Sequence, residues 1–280
     1  MQRVKRILYE EGVFMKEGRK LRNWCHMLCM VLLGVLLIID SKVVTVQAAS
    51  QMVVLKADKT YTNYDFTRDG KRDRFKCTAD SERGYARIYL NGKFKQRIFI
   101  GKGADIYWCK ISTKDTYLLT TNYLYGGHDL KAYMYSGGKF KSTPGEKNLN
   151  KVFSFSNFKK VKKNTLYVES STGGYWRNPY SFKNVGDSLT VETQFTVKNN
   201  KITCKSWTSR VTGRKIFYAK NSFSTSKSMS NLNVKNGPRV KAGQKVTLNY
   251  IRLNRTTYLY QISVNGQKGW FADSENIKFS

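Results

Sequence analysis

The sequence predicts an all-β protein, a propeller-like or sandwich-like β region followed by a small barrel. Apolar and polar residues alternate at period two through much of the chain after residue 49, the pattern of strands with one buried face. Turn signals separate these runs at short intervals, as hairpin-rich folds require. The chain holds 18 Tyr and 15 Phe but only three Pro, a balance that favours long uninterrupted strands. No stretch shows a convincing amphipathic-helix spacing.

The first 48 residues stand apart. Arg3, Lys5, Arg6, Lys16, Arg19, Lys20 and Arg22 precede an apolar run over residues 27–39, and Val46-Gln47-Ala48 offers small side chains where a signal peptidase would cut. This is the layout of a secretory signal peptide over residues 1–48. The apolar run falls short of the roughly 20 residues that a spanning helix needs, and an uncleaved N-terminal anchor is the alternative. Either way the expected location is secreted or on the cell surface.

The chain carries 50 Lys and Arg against 19 Asp and Glu. Residues 1–48 hold eight and four of these, so the rest keeps 42 basic against 15 acidic groups, a net of +27. Such a field draws polyanions from a distance and is weakened by salt. Outside a bacterial cell the available polyanions are wall teichoic acids, lipid headgroups, acidic glycans and released DNA. A basic surface that serves only solubility is the plainer reading. Three cysteines follow residue 48: Cys77, Cys109 and Cys204. One disulfide with a free thiol and three thiols buried in strands both fit, and no Cys/His spacing points to zinc. His128, in Gly126-Gly127-His128-Asp129, reads as a turn residue rather than a catalytic base.

Individual elements follow from local pattern. Arg74-Phe75-Lys76-Cys77-Thr78 alternates as a strand with Phe75 and Cys77 on one face. Arg87-Ile88-Tyr89-Leu90 and Lys93-Phe94-Lys95 flank Asn91-Gly92, the pair that most readily accepts both positive φ values of a type I′ turn. Equivalent signals are Tyr133-Met134-Tyr135 before Gly137-Gly138, and Tyr258-Leu259-Tyr260-Gln261-Ile262 before Asn265-Gly266. Val191-Glu192-Thr193-Gln194-Phe195-Thr196-Val197 turns at Asn199-Asn200 into Ile202-Thr203-Cys204. Residues 146–221 are otherwise less regular. They include the basic cluster Lys159-Lys160-Val161-Lys162-Lys163 and the turn Gly173-Gly174-Tyr175-Trp176-Arg177-Asn178-Pro179-Tyr180. Aromatic faces such as Tyr175 and Trp176 beside basic groups suit sugars or single-stranded nucleic acid, and equally suit loop packing.

Within this basic chain, Asp65-Phe66-Thr67-Arg68-Asp69-Gly70-Lys71-Arg72-Asp73 concentrates three aspartates. Counted from Asp65, side-chain oxygens fall at positions 1, 3, 5 and 9, a glycine at 6 and the Lys71 carbonyl at 7, which are calcium-loop positions. An EF-hand would need Glu at position 12, where Lys76 stands, and a following helix. A strand pattern follows instead. A calcium loop between strands resembles those of the FG-GAP and VCBS-type repeats of propeller-like extracellular proteins. The resemblance runs over residues 60–145, through the Asn91-Gly92 hairpin, Ile111-Ser112-Thr113-Lys114-Asp115-Thr116-Tyr117 and Tyr133-Met134-Tyr135-Ser136-Gly137-Gly138-Lys139-Phe140. It implies calcium liganding by Asp65, Thr67, Asp69, Asp73 and the carbonyl of Lys71. Thr67 stands where Asp or Asn is commoner, and Arg68, Lys71 and Arg72 crowd the loop, so the expected affinity is weak, roughly 10⁻⁴ to 10⁻³ M. Aspartates that cap their own turn are the competing reading.

Residues 222–231 are small and polar enough for a linker. Residues 232–280 then resemble a bacterial SH3-like domain, through Val240-Lys241-Ala242-Gly243-Gln244-Lys245-Val246-Thr247-Leu248 and Gly266-Gln267-Lys268-Gly269-Trp270. The resemblance implies a small barrel with Trp270, Lys268 and Arg252 as candidate ligand-binding residues, and core packing of Trp270 as the alternative. Both resemblances together are those of a secreted Gram-positive protein.

The reading is a non-catalytic binding protein of the cell exterior that associates with an anionic cell-wall polymer or glycan, with weak calcium and no small-molecule cofactor. A polysaccharide- or peptidoglycan-acting hydrolase is the alternative, and extracellular nucleic-acid binding comes after it. Glycoside hydrolysis uses two carboxylates in separate roles, and among Asp105, Asp129, Glu169, Asp187 and Glu192 the sequence singles out no pair.

Overall fold

The computed structural model describes residues 50–80, 84–101, 104–112, 115–124, 127–151, 155–171, 189–204, 206–254 and 257–280. The expected signal segment, Tyr175, Trp176 and Asp187 lie outside the described residues. Within them the protein is all-β and antiparallel, and no sheet closes into a barrel.

Strands β2 (Thr60–Tyr64), β3 (Asp73–Asp80), β4 (Tyr85–Leu90) and β5 (Lys93–Phe99) form a four-stranded meander in chain order. A five-stranded sheet follows, in the order β1 (Gln51–Leu55), β6 (Asp105–Lys110), β7 (Thr116–Leu124), β8 (Gly127–Ser136) and β9 (Lys139–Ser142). His128 therefore lies on a strand, paired with Tyr123, rather than in the turn its glycine neighbours predict.

The five-stranded sheet is packed on both faces. Tyr107, Cys109, Tyr117, Leu119 and Ala132 join one core, with Phe158, Val168, Val191 and Phe195 from the third sheet. Ile106, Trp108 and Leu118 point the other way and join a second core with Phe75, Cys77, Ile88 and Leu90 of the four-stranded sheet. A sheet with two dry faces cannot alternate, which is why Asp105-Ile106-Tyr107-Trp108-Cys109 reads as a nearly continuous apolar run. Gln96 stitches the sheets at one edge, exchanging two hydrogen bonds with the backbone of Phe140 at 2.7 and 3.0 Å.

The third sheet has nine strands. Its main path runs β10 (Phe155–Lys162), β11 (Thr165–Ser171), β12 (Thr190–Lys198), β14 (Thr208–Val211), β18 (Lys245–Asn254), β19 (Thr257–Val264) and β20 (Gln267–Ala272). β13 (Lys201–Thr203) pairs with β12, and β15 (Ile216–Tyr218) with β18. The strands expected to form a separate barrel after residue 232 thus extend a sheet that begins at residue 155. The remaining strands, β16 (Phe223–Ser224) and β17 (Arg239–Val240), form a two-stranded ladder.

Within residues 222–231, the stretch 223–226 is packed rather than linking. Ser226 and Trp270 exchange backbone hydrogen bonds of 2.9 and 2.7 Å along β20, Thr225 and Ser226 are buried, and Phe223 lies 5.4 Å from the Phe271 ring. Small hydroxyl side chains suit this path because they satisfy nearby carbonyls. Thr225 Oγ1 donates to Pro238 O at 2.8 Å and Ser226 Oγ to Asn231 O at 2.7 Å. A Cβ on Gly269 would sit 2.0 Å from Thr225 Oγ1, so the glycine of the Lys268-Gly269-Trp270 element is there for close approach.

The hairpins form where the turn pairs predict them. Both residues have positive φ at Asn91-Gly92 (53° and 76°), Gly137-Gly138 (60° and 81°), Asn199-Asn200 (50° and 61°) and Asn265-Gly266 (50° and 78°). Cys77, Cys109 and Cys204 are all free thiols. Burial, then the Asp58 charge, pushes Cys77 up to about 11, and burial raises Cys109 further still.

Candidate functional site

The Asp65–Asp73 loop enters β3, and its carboxylates turn inward on their own backbone. Asp73, 3 % exposed, accepts at Oδ2 from Phe66 N (2.7 Å), Thr67 N (2.8 Å) and Thr67 Oγ1 (3.1 Å). Its Oδ1 accepts from Asn91 Nδ2 at 2.8 Å, which ties the loop to the β4–β5 turn. Asp65 accepts from Arg68 N (2.5 Å) and Gly70 N (3.0 Å), and Asp69 from Lys71 N (2.8 Å). Charged acceptors on backbone N–H groups are among the stronger hydrogen bonds in proteins. Among the described residues, no group of three or more His, Cys, Asp or Glu side chains is placed to hold a metal ion.

Arg68, at φ 64°, carries this loop onto the rest of the molecule. Its Nη2 donates to Tyr135 O at 2.8 Å and its Nη1 to Asn200 Oδ1 at 3.2 Å. Asn200 N in turn donates to the buried Asp115 at 2.9 Å, which also accepts from Tyr117 Oη at 3.1 Å and Ser112 Oγ at 2.7 Å. Burial, then the neighbouring Asp115 charge, pushes the Tyr117 hydroxyl well above its ordinary range. One loop, one turn and one hairpin from three sheets are thereby locked together.

Arg252, Trp270 and Lys268 share a face of β18–β20 but occupy different rungs. Trp270 stands opposite Gln261, which stands opposite Tyr250. Lys268 pairs with Ser263 and Arg252 with Leu259. Arg252 Nη1 lies 3.4 Å from Met229 Sδ, so the 226–231 segment reaches its guanidinium. Trp270 is partly exposed.

The register also makes a carboxylate pair that the sequence does not single out. Glu169 of β11 lies directly opposite Glu192 of β12. Lys159 bonds Glu169 and reaches Glu192 at 3.7 Å, and Arg210, opposite Glu192 on β14, closes the group at 3.2 Å. The facing carboxylates repel each other, and the Lys159 and Arg210 cations offset that repulsion, with Arg210 opposite Glu192 as a stabilising cross-strand pair. Of the other candidate acids, Asp129 is held by Asn150 Nδ2 (2.6 Å) and Lys131 (3.0 Å), and Asp105 accepts from Tyr107 Oη (3.2 Å).

A further set of residues comes together on the solvent face of the four-stranded sheet. Tyr85, Arg87 and Tyr89 of β4 stand opposite Phe99, Arg97 and Phe94 of β5, rung by rung. The Tyr85–Phe99 and Tyr89–Phe94 rings meet edge to face at 5.3 and 5.7 Å, and the Arg97 guanidinium lies 4.5 Å from the Tyr85 ring. On β3, Lys76 extends the Tyr89 rung and Thr78 the arginine rung. The alternation Tyr85-Ala86-Arg87-Ile88-Tyr89 is the sequence signal for half of this set.

The chain matches no family model, no curated protein and no solved structure.

Proposed function

We propose that this is a non-catalytic binding protein of the cell exterior that associates with anionic polymers of the bacterial envelope or with acidic glycans. The observation that carries the reading is charge. Beyond residue 48, 42 cations stand against 15 acids, a charge excess of 27. Several of those acids already have internal work. Glu192, Glu146 and Glu275 hold Arg210, Lys131 and Lys235, while Asp65, Asp73 and Asp115 hold backbone N–H groups. The surplus cations are therefore available to an external anion, whose binding releases counterions.

Export rests on residues 1–48 and belongs to the same proposal. So do the finer architectural readings, the β2–β5 and β6–β9 meanders as propeller-like repeats and the β18–β20 meander as SH3-like. Calcium enters as a weak ligand of the Asp65–Asp73 loop that has to displace the loop's own donors.

The test is retention of the purified protein on isolated cell walls. Retention should fall steeply between about 50 and 200 mM salt and vanish on walls stripped of teichoic acid. Retention that ignores both treatments would overturn the electrostatic reading in favour of sugar recognition.

A further inference from the structure

Two features of the β4–β5 outer face work against stability. Arg87 and Arg97 stand directly opposite each other, and like charges in that position destabilise a sheet. The ion pairs of the described residues involve neither arginine. Among the described side chains at the outward register positions of β3, β4 and β5, none is acidic. Phe94 and Phe99 meanwhile leave 53 % and 43 % of their surface in water on an edge strand. The Arg97–Tyr85 stack and the two Tyr–Phe pairs return part of that cost, yet none of them requires a second arginine opposite the first or so much ring surface left in water.

We propose that this face binds single-stranded nucleic acid. The inference rests on the polyanion-binding reading and names the ligand class of one surface. Guanidinium forks take phosphodiester oxygens in bidentate fashion, and aromatic rings on a solvated sheet stack unpaired bases. Residues two apart along a strand are about 6.8 Å from each other, so the aromatic rungs lie about 13 Å apart with the arginine rung midway. That spacing lets bases lodge on the two aromatic rungs while the backbone between them crosses the guanidiniums. A ringless polyanion, such as polyphosphate or teichoic acid, would engage Arg87, Arg97 and Lys76 and leave the rings idle. The pairing of exposed rings with opposed arginines favours a ligand that carries both phosphates and flat faces.

Fluorescence anisotropy with a labelled oligothymidylate of about 12 nucleotides, competed with inorganic polyphosphate of equal charge, tests the proposal. Phe94→Ser/Phe99→Ser should weaken oligothymidylate binding roughly tenfold or more, the loss expected for stacked bases, with polyphosphate binding unchanged. Arg87→Gln/Arg97→Gln should weaken both ligands and flatten the salt dependence. Thermal melts check the fold, and Phe94→Leu/Phe99→Leu, which keeps the apolar bulk and removes the rings, repeats the test if the serine variant is unstable. Unchanged oligothymidylate affinity in the ring variants overturns the proposal. So does an acidic polysaccharide that displaces the oligonucleotide at lower charge concentration and depends on the same rings. Wall retention measured on these variants separates the two readings, because the envelope proposal survives if retention persists while oligonucleotide binding proves insensitive to the rings.

Discussion

Asp73→Asn separates a self-held loop from one that requires a metal. Asp73 accepts four hydrogen bonds, three at Oδ2 and one at Oδ1. Asparagine offers one acceptor atom. If its oxygen faces Phe66 and Thr67, its amide group meets the Asn91 amide, donor against donor. If Asn91 flips to accept, it abandons Arg74 N, which its Oδ1 now holds at 2.7 Å. Either arrangement leaves one polar group unsatisfied and discharges the acceptor of the buried Phe66 N–H. Loss of a charge-assisted bond at a buried site costs about 2–3 kcal/mol, which for a chain of this size lowers Tm by roughly 5–10 °C. The assay is a calorimetric or circular-dichroism melt of wild type and variant in chelator-treated buffer, then with millimolar calcium. The self-held loop predicts the full loss without calcium. A variant that melts with wild type in chelator but lags behind it in calcium would refute this reasoning and restore the metal as the loop's organiser.

Other expectations concern packing and the thiols. Gly269→Ala places a methyl 2.0 Å from Thr225 Oγ1 and should cost on the order of 2–3 kcal/mol in denaturant unfolding, partly relieved by Thr225→Ala. A thiol reagent near neutral pH should modify Cys204 first, since it is partly exposed while Cys77 and Cys109 are buried. Raised thiol values mean that the folded protein holds protons longer than the unfolded chain. Stability should therefore decline from about pH 8.5, where an unfolded thiol ionises, toward about 11, where Cys77 does. Cys77→Ala should reduce that slope in urea titrations at stepped pH.

What the sequence reveals divides by range. Two-residue hairpin turns are legible because the left-handed backbone they require is written in Asn and Gly at the turn itself, as at Asn91-Gly92 and Asn265-Gly266. The Asp65–Asp73 loop is legible as a structured turn, but its spacing serves a cation and a set of N–H donors equally well. The two-faced burial of Trp108 and Cys109 depends on which sheets arrive on either side, which no local pattern encodes. Composition misleads at residues 222–231, where hydroxyls that look solvated bond neighbouring carbonyls. The arginine rung stays hidden because the register shifts after Ile88: counted unbroken from the Asn91-Gly92 turn Arg87 would face Gln96, and only the extra residue Lys95 on β5 brings Arg97 opposite it.

The central strands β6 and β7 of the five-stranded sheet, buried on both sides over Ile106–Cys109 and Thr116–Asn122, leave almost no surface for a ligand. The side chains of those two strands pack against neighbours on both sides, so a substitution there is constrained twice over, while the solvent faces of the flanking sheets carry no such constraint. Such a layout lets the outward rungs of β4 and β5 be substituted without disturbing the buried slab beneath.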